Sequence, residues 1–125
     1  MPARILVVED NATNLDLVRY LLTCSGYAVL EARDGLRGLQ LARSERPDLI
    51  LCDLQMPHLD GYQMLARLRE DDGPVRWIVV ALTAFSMSND RSRVFSAGFD
   101  GYLSKPVDIA EFVATVKRYC EDGSR

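Results

Sequence analysis

"LILCDLQMP", residues 49 to 57, places one carboxylate, Asp53, at the end of an apolar run and just before a Met-Pro turn. The run before it has the pattern of a strand buried on both faces, which is typical of a parallel sheet covered by helices. A charge at such a position is costly unless something pairs with it. The stretch therefore predicts an α/β sheet with a polar site at the end of this strand.

Strand-like and helix-like periods alternate along the whole chain. We predict strands at residues 4–8, 27–32, 48–52, 77–82 and 101–104. We predict helices at residues 13–26, 34–44, 61–70 and 88–98, and a last helix that follows a capping box of Asp108 and Glu111 and reaches Tyr119. Five such units predict a doubly wound parallel sheet with helices on both faces, because crossovers between parallel strands are right-handed.

Composition limits the class of protein. With 125 residues, 48% hydrophobic content and a net charge of −3, the chain is typical of one globular domain. No basic face is expected, so we predict neither direct nucleic-acid binding nor membrane binding. No apolar run could span a bilayer and no signal segment opens the chain, so we expect a cytoplasmic protein. Cys24, Cys52 and Cys120 are widely spaced and have apolar surroundings in the sequence, so we expect buried, reduced thiols, and no CxxC spacing suggests zinc or redox work.

Polar side chains follow the strands of the predicted sheet. In such sheets the functional crevice lies at the carboxyl ends of the strands. The residues expected at this edge are Glu9, Asp10, Asp53, Thr83, Lys105 and, less sharply placed after the second strand, Glu31, Arg33 and Asp34. Three carboxylates, a hydroxyl and an ammonium group are therefore expected to converge.

Three close carboxylates repel one another unless a divalent cation lies between them, and an oxygen-only site suits Mg²⁺. With the cation and Lys105 balancing its charge, Asp53 stays ionised and can act as a nucleophile. Phosphoryl transfer needs an in-line nucleophile and cations that neutralise the phosphoryl oxygens. Thr83 and the backbone N–H of Ala84 are suited to bind the transferred group.

Four motifs in order, "VVEDN", "DLQMPHLDG", "ALTAF" and "YLSKP", resemble the receiver (CheY-like) domain of two-component response regulators. The resemblance runs from about residue 4 to residue 119. It implies a flavodoxin-like fold with five strands in the order 2-1-3-4-5, five helices and three layers. It also implies a single receiver domain across residues 1–125, with its core at about 4–119.

The resemblance implies a role for each matched residue. Asp53 matches the phosphoacceptor, Asp10 a direct Mg²⁺ ligand and Glu9 a ligand that acts mainly through water. Gln55 stands where the family uses a backbone carbonyl as a further ligand. The other matches are Thr83 (switch hydroxyl), Lys105 (phosphate contact), Tyr102 (switch aromatic) and Pro106 (cis peptide bond with Lys105).

The implied function is signalling. A sensor histidine kinase or a histidine phosphotransfer protein would phosphorylate Asp53, and the altered surface would bind an unknown downstream protein. The chain would be no enzyme beyond its own phosphorylation and slow dephosphorylation, and either a monomer or a weak, phosphorylation-dependent dimer. Phe85, which is apolar where a polar residue could position water, predicts slow self-dephosphorylation.

Two other classes of function share this kind of sheet. A phosphohydrolase with an aspartyl-phosphate intermediate usually has a second acid two residues after the nucleophile, where this chain has Gln55. A phosphorylation-independent protein-interaction domain typically loses an acid or the lysine, and this chain retains both. Nucleotide binding is disfavoured because no glycine-rich phosphate motif is present. A stand-alone protein and a piece of a hybrid histidine kinase both stay open, and His58 is expected to be an ordinary loop histidine.

Overall fold

The computed structural model describes residues 3–56, 59–70, 77–83, 88–105 and 108–122. Strands and helices alternate as predicted, and all four strand pairings are parallel. The strands are β1 (Arg4–Val8), β2 (Ala28–Ala32), β3 (Leu49–Asp53), β4 (Val79–Thr83) and β5 (Gly101–Ser104). The helices are α1 (Ala12–Cys24), α2 (Gly35–Glu45), α3 (Gly61–Glu70), α4 (Ser88–Ala97) and α5 (Ile109–Asp122). The order β2-β1-β3-β4-β5 confirms the predicted flavodoxin-like sheet.

The core has two halves, one on each face of the sheet. One half contains side chains of α2, α3 and α4, among them Leu39, Met64 and Val94. The other contains side chains of α1 and α5, among them Leu15 and Phe112. Every residue of β3 and β4 is buried, because helices cover both faces of these central strands. The predicted three-layer arrangement is confirmed.

Side-chain caps fix where the helices begin. The N–H of Asn14 donates to Asn11 Oδ1 (3.0 Å) at α1, and the N–H of Arg37 donates to Asp34 Oδ1 (2.8 Å) at α2. At α5 the N–H of Glu111 donates to Asp108 Oδ1 (3.0 Å), as the capping box predicts. These caps lie in loops that leave the carboxyl ends of the strands, so they also order the edge that carries the polar residues.

A second capping box begins α3. The N–H of Gln63 donates to Asp60 Oδ1 and the N–H of Asp60 donates to Gln63 Oε1, each at 2.9 Å. The two side chains therefore satisfy two backbone donors of the first turn reciprocally. This box closes the loop that follows Asp53.

Gly38, which lowers the intrinsic helix propensity of α2, is required by packing. A Cβ at this position would lie 2.9 Å from Val8 Cγ2 and 3.1 Å from the sulfur of Met64. Glycine therefore lets α2 pack closely against β1 and α3, and this close approach explains a residue that otherwise weakens the helix.

The expectation that all three cysteines are buried is wrong for Cys24, which is exposed, while Cys52 is buried and Cys120 is half-buried. Cys24 lies two residues beyond the buried Leu22, about 200° around the helix axis, so it faces away from the core. None of the helices in the described part of the chain is long and apolar enough to cross a membrane.

Candidate functional site

The structure brings the acids of the first and third strands together. β1 pairs with β3 so that Val8 lies opposite Cys52, which places the residues after β1 beside the last residue of β3. Each of Glu9, Asp10 and Asp53 offers one carboxylate oxygen, and these oxygens lie within 4.8 Å of one another. The sequence-based expectation of an acidic cluster at this edge therefore agrees with the geometry.

Each of the two carboxylate oxygens of Asp53 contacts a partner. The N–H of Gln55 donates to Oδ1 at 3.1 Å, and the Lys105 ammonium lies 3.2 Å from Oδ2. The side chain is almost fully buried, with 4% of its residue surface exposed. Its position and orientation are therefore fixed before any ligand binds.

Glu9 is fully buried and forms the shorter of the two ion pairs with Lys105. Its Oε1 lies 2.6 Å from Lys105 Nζ, and its Oε2 accepts the N–H of Asn11 at 3.3 Å. An aspartate at this position would be one methylene shorter. The carboxylate of Glu9 therefore contacts both the lysine and the backbone of the loop after β1.

Lys105 is placed by the backbone that leaves β5. Its N–H donates to the carbonyl of Thr83 at 2.7 Å, which joins the ends of β4 and β5. Burial lowers the pKa of the Lys105 ammonium, but the contacts with Glu9 and Asp53 outweigh burial and raise the pKa overall. The side chain therefore remains a cation at neutral pH.

The ammonium group of Lys105 does not balance the negative charge of the three carboxylates. Burial raises the pKa of Asp53 to about 6, and the adjacent Glu9 carboxylate acts in the same direction, although the Gln55 N–H and Lys105 lower the pKa. A second cation at the cluster would remove this penalty. The donors are carboxylate oxygens only, which fits a hard divalent cation such as Mg²⁺ and not a soft metal.

Two further candidate residues, Thr83 and Tyr102, lie at or near the same edge. Thr83 ends β4 and is buried, with 1% of its surface exposed. Tyr102 is half-buried and packs against the half of the core that contains Val94 and Phe99. Ala84 and Pro106, with the predicted cis bond, lie outside the described residues, as do His58 and Phe85.

Gly61, which the sequence predicts only as the start of a helix, also lies against the backbone of the site. A Cβ on Gly61 would lie 2.6 Å from the carbonyl oxygen of Asp53 and 2.9 Å from the Cα of Leu54. Both neighbours are backbone atoms, so a side chain here would force either the start of α3 or the backbone at Asp53 to shift. The signal was available as a glycine in the first turn of a helix that directly follows the acidic loop.

Comparison with known proteins places the chain in a family. The sequence profile of the response regulator receiver domain matches residues 5–117. The polar-differentiation response regulator DivK of Brucella anthropi is 42% identical over 122 residues, which is 98% of this chain and 99% of that protein. The DivK response regulator of Brucella ovis is 39% identical over 122 residues, which is again 98% of this chain and 99% of that protein.

Solved structures agree with this match. The receiver domain of a sensor histidine kinase from Pseudomonas aeruginosa PAO1, with a magnesium ion coordinated in its active site cleft, has a TM-score of 0.88 and 34% identity, covering 98% of this chain and all of that one. A response regulator from Chloroflexus aurantiacus has a TM-score of 0.89 and 31% identity, covering 97% of this chain and 99% of that one.

Proposed function

Because this chain belongs to the response regulator receiver domain family, we propose that Asp53 accepts a phosphoryl group from a phosphohistidine. The donor would be a sensor histidine kinase or a histidine phosphotransfer protein. The observation that carries the assignment is the arrangement of Lys105 between Glu9 and Asp53, at 2.6 Å and 3.2 Å, beside a third carboxylate. Buried acids around one lysine are costly for the fold alone, and they suit a site that a metal and a phosphoryl group complete.

The proposed cofactor is Mg²⁺. Asp10 and Asp53 would hold it directly, Glu9 mainly through water, and the backbone carbonyl of Gln55 would add a further oxygen. When bound, the cation would neutralise negative charge on the phosphoryl oxygens. The fit is supported by the oxygen-only donor set, and by the burial and the adjacent Glu9 carboxylate that raise the pKa of Asp53.

In the transfer step, an oxygen of the Asp53 carboxylate attacks phosphorus. The P–N bond to the donor histidine breaks as the P–O bond forms, and the imidazole leaves with the bonding electron pair and is protonated. Lys105 lies against Oδ2, which we propose as the attacking oxygen because the ammonium can follow the charge onto the phosphoryl group. The hydroxyl of Thr83 and the N–H of Ala84 would bind that group after transfer.

The acyl phosphate would be temporary. Attack of water on phosphorus breaks the new P–O bond, releases inorganic phosphate and restores the Asp53 carboxylate. The proposal gives the chain no other substrate, so the self-phosphorylation and this return step are its only chemistry.

We also propose that Thr83 and Tyr102 transmit the change. Thr83 pairs in register with Ser104, two residues beyond Tyr102 on β5. A shift of Thr83 toward the phosphoryl group would therefore alter the strand that carries Tyr102, whose side chain packs on the same half of the core as α4. A downstream protein would bind the β4, α4 and β5 surface in one state and not in the other.

The test of the acceptor is intact-mass spectrometry after incubation with acetyl phosphate and Mg²⁺. The wild-type chain should gain one phosphoryl group, and the gain should disappear in EDTA and in Asp53→Asn. Asp16→Asn, an exposed position on α1, is the matched control and should behave as wild type. Equal phosphorylation of Asp53→Asn would refute the assignment, and a wild-type chain that takes up no phosphate yet binds a partner would favour the phosphorylation-independent alternative.

Partner binding is tested with beryllofluoride, which mimics the acyl phosphate. A pull-down with and without it should retain a downstream protein in one condition only. We propose that the chain acts as a single cytoplasmic receiver domain. Size-exclusion chromatography with and without beryllofluoride tests whether it is a monomer or dimerises when phosphorylated. Retention of the same proteins in both conditions would contradict the switch, and identical elution would identify the chain as a monomer in both states.

A further inference from the structure

Arg33 follows β2 and reaches the loop that carries Asp10. Its Nη2 donates to the backbone carbonyl of Asp10 at 3.2 Å, its one hydrogen bond within the described residues. The pairing of the two strands sets up this contact, because Val8 lies opposite Ala32 and the N–H of Glu9 donates to the carbonyl of Ala32 at 3.0 Å. The bond therefore crosses between two loops that leave adjacent strands.

Both loops are fixed at their far ends. Asp34, which follows Arg33, caps α2, and Asn11, which follows Asp10, caps α1. The guanidinium thus connects two short segments that each run from a strand to a capped helix. A hydrogen bond between such segments constrains the backbone more than the same bond between flexible loops does.

The three acids of the cluster differ in how they are held. Glu9 and Asp53 each accept a backbone N–H and contact Lys105. The Asp10 carboxylate is half-buried and accepts no hydrogen bond from any residue that the structure describes. Repulsion by the other two carboxylates favours its rotation toward water. Within the described residues, the exposed Arg33 contact is the one side-chain hydrogen bond made to Asp10.

We propose that Arg33 is a positioning residue for the Mg²⁺ site, acting through the carbonyl of Asp10. The inference rests on the proposed function, which makes Asp10 a metal ligand. Partners that orient ligands from outside the coordination sphere commonly change metal affinity when they are removed. Arg33 holds the backbone of the ligand and not its carboxylate, so its effect is expected to be smaller than that of a direct partner of the carboxylate.

The charge of Arg33 alone predicts the opposite change in Mg²⁺ affinity when Arg33 is removed. The Arg33 guanidinium is a cation near a cation site, so removing it should tighten Mg²⁺ binding by about twofold through reduced repulsion in solvent. Loss of the Arg33 hydrogen bond to the Asp10 carbonyl should weaken Mg²⁺ binding by about threefold to tenfold, which is the contribution of one modest hydrogen bond. The direction of the change therefore separates the two effects.

The experiment is isothermal titration calorimetry of Mg²⁺ with the full chain. Arg33→Met removes both charge and donor, Arg33→Lys keeps the charge and one donor, and Arg37→Met is the control. Arg37 lies on the exposed face of α2, where its guanidinium contacts Gln40 at 3.3 Å. We expect Arg33→Met to weaken binding by about threefold to tenfold, Arg33→Lys to recover most of the loss, and Arg37→Met to stay within about twofold of wild type.

Phosphorylation by acetyl phosphate provides the second measurement. In Arg33→Met the Mg²⁺ concentration for half-maximal rate should rise by the same factor, while the rate at saturating Mg²⁺ and the melting temperature in EDTA stay unchanged. Unchanged or tighter Mg²⁺ binding by Arg33→Met, or an equal loss in Arg33→Lys, would overturn the inference. Absence of Mg²⁺ binding by the wild-type chain would instead refute the proposed function.

Discussion

Replacing the phosphoacceptor candidate should stabilise the metal-free protein. Asp53 has 4% of its surface exposed, and burial raises the pKa of its carboxyl from 3.8 to about 6. Each pKa unit corresponds to about 1.4 kcal/mol, so keeping this carboxylate ionised at about pH 7.5 costs the fold about 3 kcal/mol. Asparagine has the same shape, carries no charge and still offers Oδ1 to the Gln55 N–H.

The net gain is expected to be smaller than this cost. In Asp53→Asn the amide Nδ2 would take the place of Oδ2 and face the Lys105 ammonium donor to donor, although Lys105 keeps its shorter contact with Glu9. We therefore expect the free energy of unfolding to rise by about 1–2 kcal/mol in EDTA at about pH 7.5. For a domain of this size, that corresponds to an increase in melting temperature of about 3–10 °C.

The sign of the pH dependence follows from the direction of the pKa shift. The folded protein binds the Asp53 proton more tightly than the unfolded chain does. The wild-type protein therefore has the full stabilising contribution of this proton below about pH 4 and loses it as the pH rises through about 6. The advantage of Asp53→Asn should accordingly be small at about pH 4.5 and reach its full size above about pH 7.

Urea unfolding in EDTA across this pH range measures the effect, with Asp16→Asn as the control. Asp16 is exposed, so its variant should stay within about 0.5 kcal/mol of wild type at every pH. Saturating Mg²⁺ should make the wild type more stable than Asp53→Asn, which lacks a carboxylate ligand. At 100 times its dissociation constant, a ligand adds about 2.7 kcal/mol to the stability of the protein that binds it. Equal or lower stability of Asp53→Asn in EDTA above about pH 7 would refute the argument that the buried, ionised carboxylate of Asp53 destabilises the metal-free protein.

Three further predictions concern the same edge of the sheet. Gly61→Ala should weaken Mg²⁺ binding by calorimetry because its Cβ would lie 2.6 Å from the Asp53 carbonyl, whereas Gly26→Ala, strained at φ 90°, should lower stability without changing Mg²⁺ affinity. Equal Mg²⁺ affinities of the two variants would contradict this. Lys105→Met should bind Mg²⁺ more tightly, because a competing cation is removed, yet slow phosphorylation by acetyl phosphate at least about tenfold; an unchanged rate by mass spectrometry would exclude the lysine from the transfer. Phe85→Glu should shorten the lifetime of the phosphorylated chain, and equal decay of the two would remove the proposed effect of an apolar residue there.

Much of the fold follows from local patterns that the sequence displays directly. The apolar run of β3 and the alternation of strand and helix periods predict a parallel sheet, since each pattern reports which faces of a segment are buried. Cap residues such as Asp108 mark helix starts because their side chains bond to the backbone three residues later. The first helix ends at Cys24, two residues before the expected Gly26, because that glycine adopts a positive φ in the turn.

Contacts between segments were harder to predict. The convergence of Glu9, Asp10 and Asp53 follows from strand order, but the ion pair of Glu9 with Lys105 depends on side-chain length and on the path of the loop after β5. The close approaches that require Gly38 and Gly61 depend on distances between backbones that no local pattern encodes. The exposure of Cys24 was missed because its apolar neighbours in sequence were considered and not its position around the helix, about 200° from the buried Leu22.

The most direct test of the central claim is a crystal structure with Mg²⁺ and beryllofluoride bound. We predict one Mg²⁺ ion ligated by Asp10, Asp53 and the backbone carbonyl of Gln55, with beryllofluoride on the Asp53 carboxylate and within hydrogen-bonding distance of Lys105 and Thr83. Mg²⁺ bound elsewhere, or beryllofluoride on a different side chain, would contradict the account.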